Sequence, residues 1–353
     1  MIGKASHTLE WIKESASKLG KRGDPKLMEK VIYAFTLLEQ LQINGLDFIF
    51  KGGTSLLLTT SPPRRFSIDI DIITETSAER LKPIFDQIIS TSLFIRWEED
   101  SARKHHTDTP IGHFKFYYKS LVDNIPEEPV LLDVLYTTNP YPLVKRYAVN
   151  HEWLKVEDKE IQVKVPVLES ILGDKLTAFA PKTTGILYSK NRPVEIVKQL
   201  YDIGLLYDLA EDLSLIKKSY LKVVAEEIGY RKLEINYHEV LKDTREACFT
   251  LALRSNNPEF AHLQTGITNI TNFIIDRFKI EEAIIASAKT AHLTSLIASE
   301  SQGLLERYQG PEQIAGLEIS NGQFSKLNKL KKNNPEAFFY WYKTITILET
   351  PQS

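Results

Sequence analysis

Asp69 and Asp71 stand two residues apart in Arg65-Phe66-Ser67-Ile68-Asp69-Ile70-Asp71-Ile72. The alternation reads as a strand with both carboxylates on one face, ~6.5–7 Å apart along the chain. Ile68, Ile70 and Ile72 then anchor the other face. Neighbouring acids repel unless something positive lies between them, and a hard divalent cation held by carboxylate and phosphate oxygens meets that need. The competing reading is a solvated strand face, which aspartate suits poorly. A third acid, Asp133, interrupts the apolar run Leu131-Leu132-Asp133-Val134-Leu135, where an unpaired carboxylate is costly. If its strand lies beside that of Asp69 and Asp71, the three carboxylates form one site. Two divalent ions there would stabilise the attacking and leaving oxygens of an in-line displacement at phosphorus. Asp133 could also take the proton of the attacking hydroxyl, or it is simply a paired acid near a strand end.

Upstream lies Lys51-Gly52-Gly53-Thr54-Ser55. A strand that ends in Gly-Gly and enters a helix lets backbone approach an anion closely. The N–H groups at the helix start favour negative charge, and Thr54 and Ser55 add hydroxyl donors. The spacing is not that of a Walker A loop. Alone, a glycine pair more often marks a tight turn; beside the aspartates it reads as a phosphate-facing turn.

These residues need elements to hold them. Pro25 to Leu41 carries apolar residues at helical spacing. Phe48 to Phe50 reads as a buried strand, Thr54 to Leu58 as a helix start and Ser67 to Ile73 as the strand of the acid pair. Ala78 to Ile89 is helical by period, and Phe94 to Trp97, His113 to Tyr118 and Val130 to Tyr136 read as strands. Lys155 to Val165 reads as a hairpin around Glu157-Asp158-Lys159. From Pro166, placed in the first turn of a helix, the pattern becomes helical. Leu168, Ile171, Leu172, Leu176 and Phe179 form one face, and Pro181 follows its end. Further helices are predicted over Val194 to Ala210, Leu213 to Ile228, His238 to Leu253, Thr268 to Ile285 and Ala291 to Tyr308. The expected domains are 1–165, a small mixed sheet flanked by helices, and 166–353, helical.

Composition narrows the class. The chain has 353 residues, 42% hydrophobic and 25% charged, with a formal net charge of −2. These values exclude a disordered chain, a fibre or a coiled-coil rod, and any nucleic-acid partner must meet a local basic patch. No apolar run approaches the ~20 residues of a membrane span. With a polar start, Met1 to His7, the expected location is cytoplasmic. The lone Cys248 excludes an internal disulfide and a cysteine-based zinc site. His105, His106 and His113 read as loop or strand residues rather than metal ligands, because adjacent histidines lack helical ligand spacing. The cluster Lys326, Lys329, Lys331 and Lys332 reads as a solvated helix face. The abundant Tyr and Phe of the helical half read as core rather than base-stacking platforms.

The Gly-Gly-Thr-Ser turn, the Arg-Phe-Ser-x-Asp-x-Asp strand and the later strand acid resemble the nucleotidyltransferase superfamily with its polymerase-β-like core. The more specific likeness is to the AbiEii/AbiGii toxin family, which includes the MenT toxins. Pro166-Val167-Leu168-Glu169, Lys175-Leu176 and Ala178-Phe179 resemble that family's lysine-bearing third motif. Arg192 to Lys198 with Leu200-Tyr201-Asp202-Ile203 resembles its fourth. The likeness spans about residues 30 to 210.

The resemblance implies an α/β (α+β) nucleotidyltransferase core followed by a helical domain that carries the lysine and aspartate motifs and the acceptor-binding surface. It implies nucleotide-phosphate contacts for Gly52, Gly53, Thr54 and Ser55, magnesium at Asp69 and Asp71 with Asp133 completing the site, triphosphate contact by Lys175 and support by Asp202. Asp208 competes for the role of Asp202. The family often has an acid where this chain has Gln199. Arg65 either binds phosphate or braces the acids. The implied reaction moves a nucleoside monophosphate from a nucleoside triphosphate (NTP) to an acceptor hydroxyl, with two Mg2+ ions. By resemblance the acceptor is the 3′ end of tRNA, which blocks translation, and the setting is a toxin–antitoxin or phage-defence pair with a separate antitoxin. The alternatives are a protein or small-molecule acceptor, or a nucleotide-sensing module without catalysis.

Overall fold

In the computed structural model, residues 1–100, 109–299 and 305–350 are described. They form two compact units. The first comprises 1–167 with 273–276, the second 168–272 with 277–353.

The first unit is built on a seven-stranded mixed sheet. Its elements in chain order are α1 (Leu9–Ser17), α2 (Pro25–Ile43), β1 (Ile49–Lys51), α3 (Gly52–Thr59), β2 (Ile70–Thr74), α4 (Ala78–Thr91), β3 (Phe94–Glu99), β4 (Ile111–Tyr118), β5 (Glu128–Tyr136), β6 (Val144–Ala148) and β7 (Gln162–Pro166). The strand order is β3-β4-β5-β2-β1-β7-β6. β2 runs parallel to β5 and β1 parallel to β7, while the other pairs are antiparallel. Asp24 caps α2 by accepting from the Lys26 amide at 2.8 Å, and Pro25 fits the first helical position. Its Val31, Ile32, Phe35, Leu38 and Leu41 are fully buried, and the helix packs on β5 and β7. Phe85 of α4 meets Phe114 and Phe116 of β4 edge-to-face, each at 5.0 Å.

Three sequence expectations change here. The hairpin over Lys155 to Val165 does not form. β7 pairs instead with β6, Val144 opposite Pro166, and Pro166 ends that strand rather than opening a helix. Val156 makes an isolated bridge to Ile2, and the Lys155 carbonyl accepts from the Gly3 amide at 2.7 Å. Alternation reports that a segment is extended; it cannot report which distant segment pairs with it. The strand of the acid pair also begins later, at Ile70, so Ser67 to Asp69 precede it.

The second unit is helical: α5 (Leu168–Ala178), α6 (Pro193–Leu209), α7 (Leu213–Tyr230), α8 (Tyr237–Leu253), α9 (Pro258–Asn269), α10 (Ile280–Ala298), α11 (Leu330–Asn333) and α12 (Pro335–Glu349). α10 lies at its centre, against α6, α8 and α12. Gly173 lets α5 approach α7 closely, since a Cβ there would sit 2.7 Å from the Tyr220 amide nitrogen. Cys248 is buried, and burial pushes its thiol well up. No described helix is long and apolar enough to cross a membrane.

The helices predicted over Thr268 to Ile285 and Ala291 to Tyr308 are not the ones formed. Ile270, Ile274 and Phe278 are all buried and mimic a helical stripe, yet the chain leaves α9 and extends. Phe273 to Asp276 join the first unit, where Ile274 bridges to Arg65. α10 then starts at Ile280, with the Glu282 carboxylate accepting from the Lys279 amide at 2.9 Å. The described residues Leu305 to Tyr308 are not helical.

Candidate active site

β1 delivers Lys51 to a sharp turn, where Gly52 adopts φ +76°, a conformation L-residues rarely tolerate. A Cβ on Gly52 would stand 2.1 Å from Oδ2 of Asp71. The absent side chain therefore lets the Asp71 carboxylate lie against the turn. At Gly53 a Cβ would stand 2.1 Å from Nη2 of Arg65. α3 begins here without a side-chain cap on its first amides, which leaves the positive end of the helix dipole at the turn.

The Thr54 and Ser55 side chains are buried. Thr54 Oγ1 donates to the Asp69 carbonyl at 2.6 Å and lies 2.9 Å from Ser67 Oγ. Ser55 Oγ donates to the Gly52 carbonyl at 2.8 Å. These hydroxyls tie the turn to the segment that carries the acids. Arg65 is also buried, and its Nη1 donates to the Phe66 carbonyl at 3.0 Å.

One cross-strand row joins the polar groups of the sheet. Lys51 pairs with Asp71 across β1 and β2, Asp71 with Asp133 across β2 and β5, and Asp133 with His113 across β5 and β4. Residues paired in register share a face of the sheet. Asp71 and Asp133 are therefore neighbours, both half-buried, while Asp69 is exposed just before the strand. Asp133 Oδ1 lies 2.8 Å from Nδ1 of His113. Among the described residues no three His, Cys, Asp or Glu side chains are grouped to hold a metal ion, so the expected three-acid cage is not preassembled. Its oxygen-only donor set still suits magnesium chemically, and the cradle at Gly52 leaves the Asp71 carboxylate room at the turn.

In the second unit, Lys175 of α5 and Asp202 of α6 form a buried ion pair of 2.9 Å. Lys175 Nζ also donates to Oε1 of Gln199 at 3.0 Å. Gln199 thus keeps an oxygen on the lysine where the resembling family often has an acid. Asp208 pairs instead with Lys289 at 2.8 Å, which removes it as the partner of Lys175.

The sequence set His113 aside as a metal ligand but gave no sign of its bond to Asp133, because that partner is remote along the chain. The signal available was its place in an alternating strand, with apolar Phe114 and Phe116 following. His105 and His106 lie outside the described residues.

The model of the family described as "Nucleotidyl transferase AbiEii toxin, Type IV TA system" matches residues 36–276 of this chain. The chain belongs to the AbiEii nucleotidyltransferase family. As an AbiEii member it is a nucleotidyltransferase enzyme and the toxin of a type IV toxin–antitoxin system, which implies an NTP substrate and an antitoxin partner. Among solved structures, the AbiEii chain is similar to MenT4, a nucleotidyltransferase toxin from Mycobacterium tuberculosis H37Rv. The two share 14% identity and a TM-score of 0.51, covering 95% of this chain and 99% of that one. That likeness shows a shared fold. A putative nucleotidyltransferase from H. pylori aligns at 16% identity and TM-score 0.40, over 77% of this chain and 94% of the other. No curated protein matches significantly.

Proposed function

We propose that this AbiEii toxin transfers a nucleoside monophosphate from an NTP to the 3′ end of tRNA, in a magnesium-dependent reaction that blocks translation. The observation that supports this best is the strand register that sets Asp71 beside Asp133 at the Gly52 turn. Asp69, Asp71 and Asp133 are the residues that would hold the metal. Bound there, magnesium supplies charge neutralisation for the triphosphate and for the displaced oxygen. The N–H groups at the start of α3, with Gly52 and Gly53, receive phosphate oxygens. In this reading Thr54 and Ser55 support the turn from beneath. Lys175 contacts the triphosphate as a point charge, and Asp202 holds that lysine in place. The acceptor oxygen bonds to the α-phosphorus as its bond to the bridging oxygen breaks. Pyrophosphate leaves with the electron pair, and the hydroxyl proton passes to Asp133. The proposed setting is cytoplasmic, within a defence pair whose antitoxin is a separate protein.

A transfer assay tests this. Purified protein, Mg2+ and each α-labelled NTP are incubated with total RNA and with protein extract, with Asp71→Asn as control. Label in a tRNA-sized band, absent in the control, is the expected result. Label in a protein band would overturn the acceptor. Absence of transfer to any acceptor would overturn the reading.

A further inference from the structure

We propose that His113 is a positioning residue for the Asp133 carboxylate, and that its Nδ1–H sets how that carboxylate meets a divalent cation. The inference rests on the metal-binding reading of Asp71 and Asp133 given above.

The geometry is specific. His113 Nδ1 and Asp133 Oδ1 are 2.8 Å apart, and the two residues face each other in the β4–β5 register. The imidazole is buried, with 8% of its side chain exposed, against 17% for Asp133. An ionised carboxylate only accepts hydrogen bonds, so the proton of this contact sits on Nδ1. β4 is an interior strand, bonded to β3 on its other side. The His113 carbonyl also accepts from the Asp100 amide at 2.8 Å. The backbone beneath the ring is therefore held from both sides, and the ring can act as a fixed stop for the carboxylate.

A carboxylate that pivots about its Cβ–Cγ bond presents a changing pair of oxygens. A donor held at one oxygen stops that rotation. Partners of this kind, which touch a ligand rather than the metal, typically contribute 10–100-fold in metal affinity. On the face of β4 that carries His113 the neighbouring side chains are Ile111, which is apolar, and Lys115, whose Nζ pairs with Asp100 at 3.0 Å.

Full-length protein is titrated with Mn2+ as the probe, reading free Mn2+ by electron paramagnetic resonance, with circular dichroism to monitor folding. His113→Phe keeps the ring and loses the donor. We expect Mn2+ affinity to fall about 10–100-fold. His113→Asn places an amide N–H near the Nδ1 position and is expected to restore affinity to within about 3-fold. His113→Gln carries its amide one methylene further and is expected to behave like His113→Phe; it serves equally if the phenylalanine variant does not fold. On an Asp133→Asn background, His113→Phe should add no further loss. Folded His113→Phe and His113→Gln proteins that bind Mn2+ like the parent would overturn the inference. So would a failure of His113→Asn to rescue. Asp71→Asn separates the two readings: if it leaves Mn2+ binding unchanged, the metal reading itself fails. If it removes binding while the His113 variants do not alter it, only the role of His113 fails.

Discussion

The Lys175–Asp202 contact joins the stability of the second unit to the chemistry proposed for the lysine. Both are buried and lie 2.9 Å apart. Removing one partner strands the other charge in the interior, which typically costs about 3–5 kcal/mol, whereas replacing both with apolar side chains is often neutral. We therefore expect Lys175→Met to lower the urea midpoint strongly and to abolish nucleotide transfer. The double variant Lys175→Met/Asp202→Leu should regain much of the stability and none of the activity. Equal recovery of both would show that the lysine has no chemical role. Asp71 offers the complementary case. It is half-buried at the turn, so Asp71→Asn should leave thermal stability nearly unchanged while transfer falls by at least about 10²–10³-fold.

The strand–turn–helix formed by β1, Gly52 and α3 is where backbone conformation and the acid pair meet. Gly52→Ala imposes two costs. A left-handed backbone costs a non-glycine residue about 1–2 kcal/mol, and the new Cβ would also displace Oδ2 of Asp71, 2.1 Å away. Gly45 provides a control, because it too has positive φ, +83°, yet a Cβ there meets nothing within 4 Å. We expect Gly45→Ala to lose only the backbone cost in calorimetry and Gly52→Ala to lose more, with transfer lost only in Gly52→Ala. Activity surviving in both would disconnect the turn from the chemistry. The segment Phe273 to Asp276 plays a related part. The Phe66 amide donates to the Phe273 carbonyl at 2.7 Å, and the Ile275 amide to the Arg64 carbonyl at 2.9 Å. These bonds steady the stretch that leads into Ser67 and Asp69. The accompanying Arg64–Asp276 pair is 41% exposed on each side, so it adds little.

Across the molecule, burial keeps several histidines neutral. His7 and His151 in the first unit are pushed down to about 4, and His292 in the second to about 3. Their unfolded value lies near 6.5. Below that value the unfolded chain binds protons that the folded chain refuses. The stabilisation is thus complete above about pH 6.5 and is lost as pH falls toward 4. We expect the Tm to hold steady from pH 8 to 7 and to drop progressively from pH 6.5 to 4.5. A His292→Gln variant should give a shallower drop. A Tm independent of pH over that lower range would contradict the buried neutral histidines.

Local patterns were readable from residue types alone. The spacing of α2 and of α5 to α8, the Gly-Gly turn after β1 and the alternation of β4 and β5 all reflect short-range backbone geometry, with periods of 3.6 or 2 residues. The candidate site residues were read in three ways: Asp69 and Asp71 as an alternating acid pair, Asp133 as a charge within an apolar run, and Lys175 and Asp202 only through the family resemblance. Their partners were not legible. The register of Asp71 with Asp133, the bond from His113, the oxygen of Gln199 on Lys175 and the return of Phe273 to Asp276 all join residues distant in sequence. So does the pairing of β6 with β7 that replaced the expected hairpin. An isolated segment carries its own period but no address for a partner across the sheet. That choice is made only when the strands assemble, because a hydrogen-bonded neighbour is selected by the packing of the whole face.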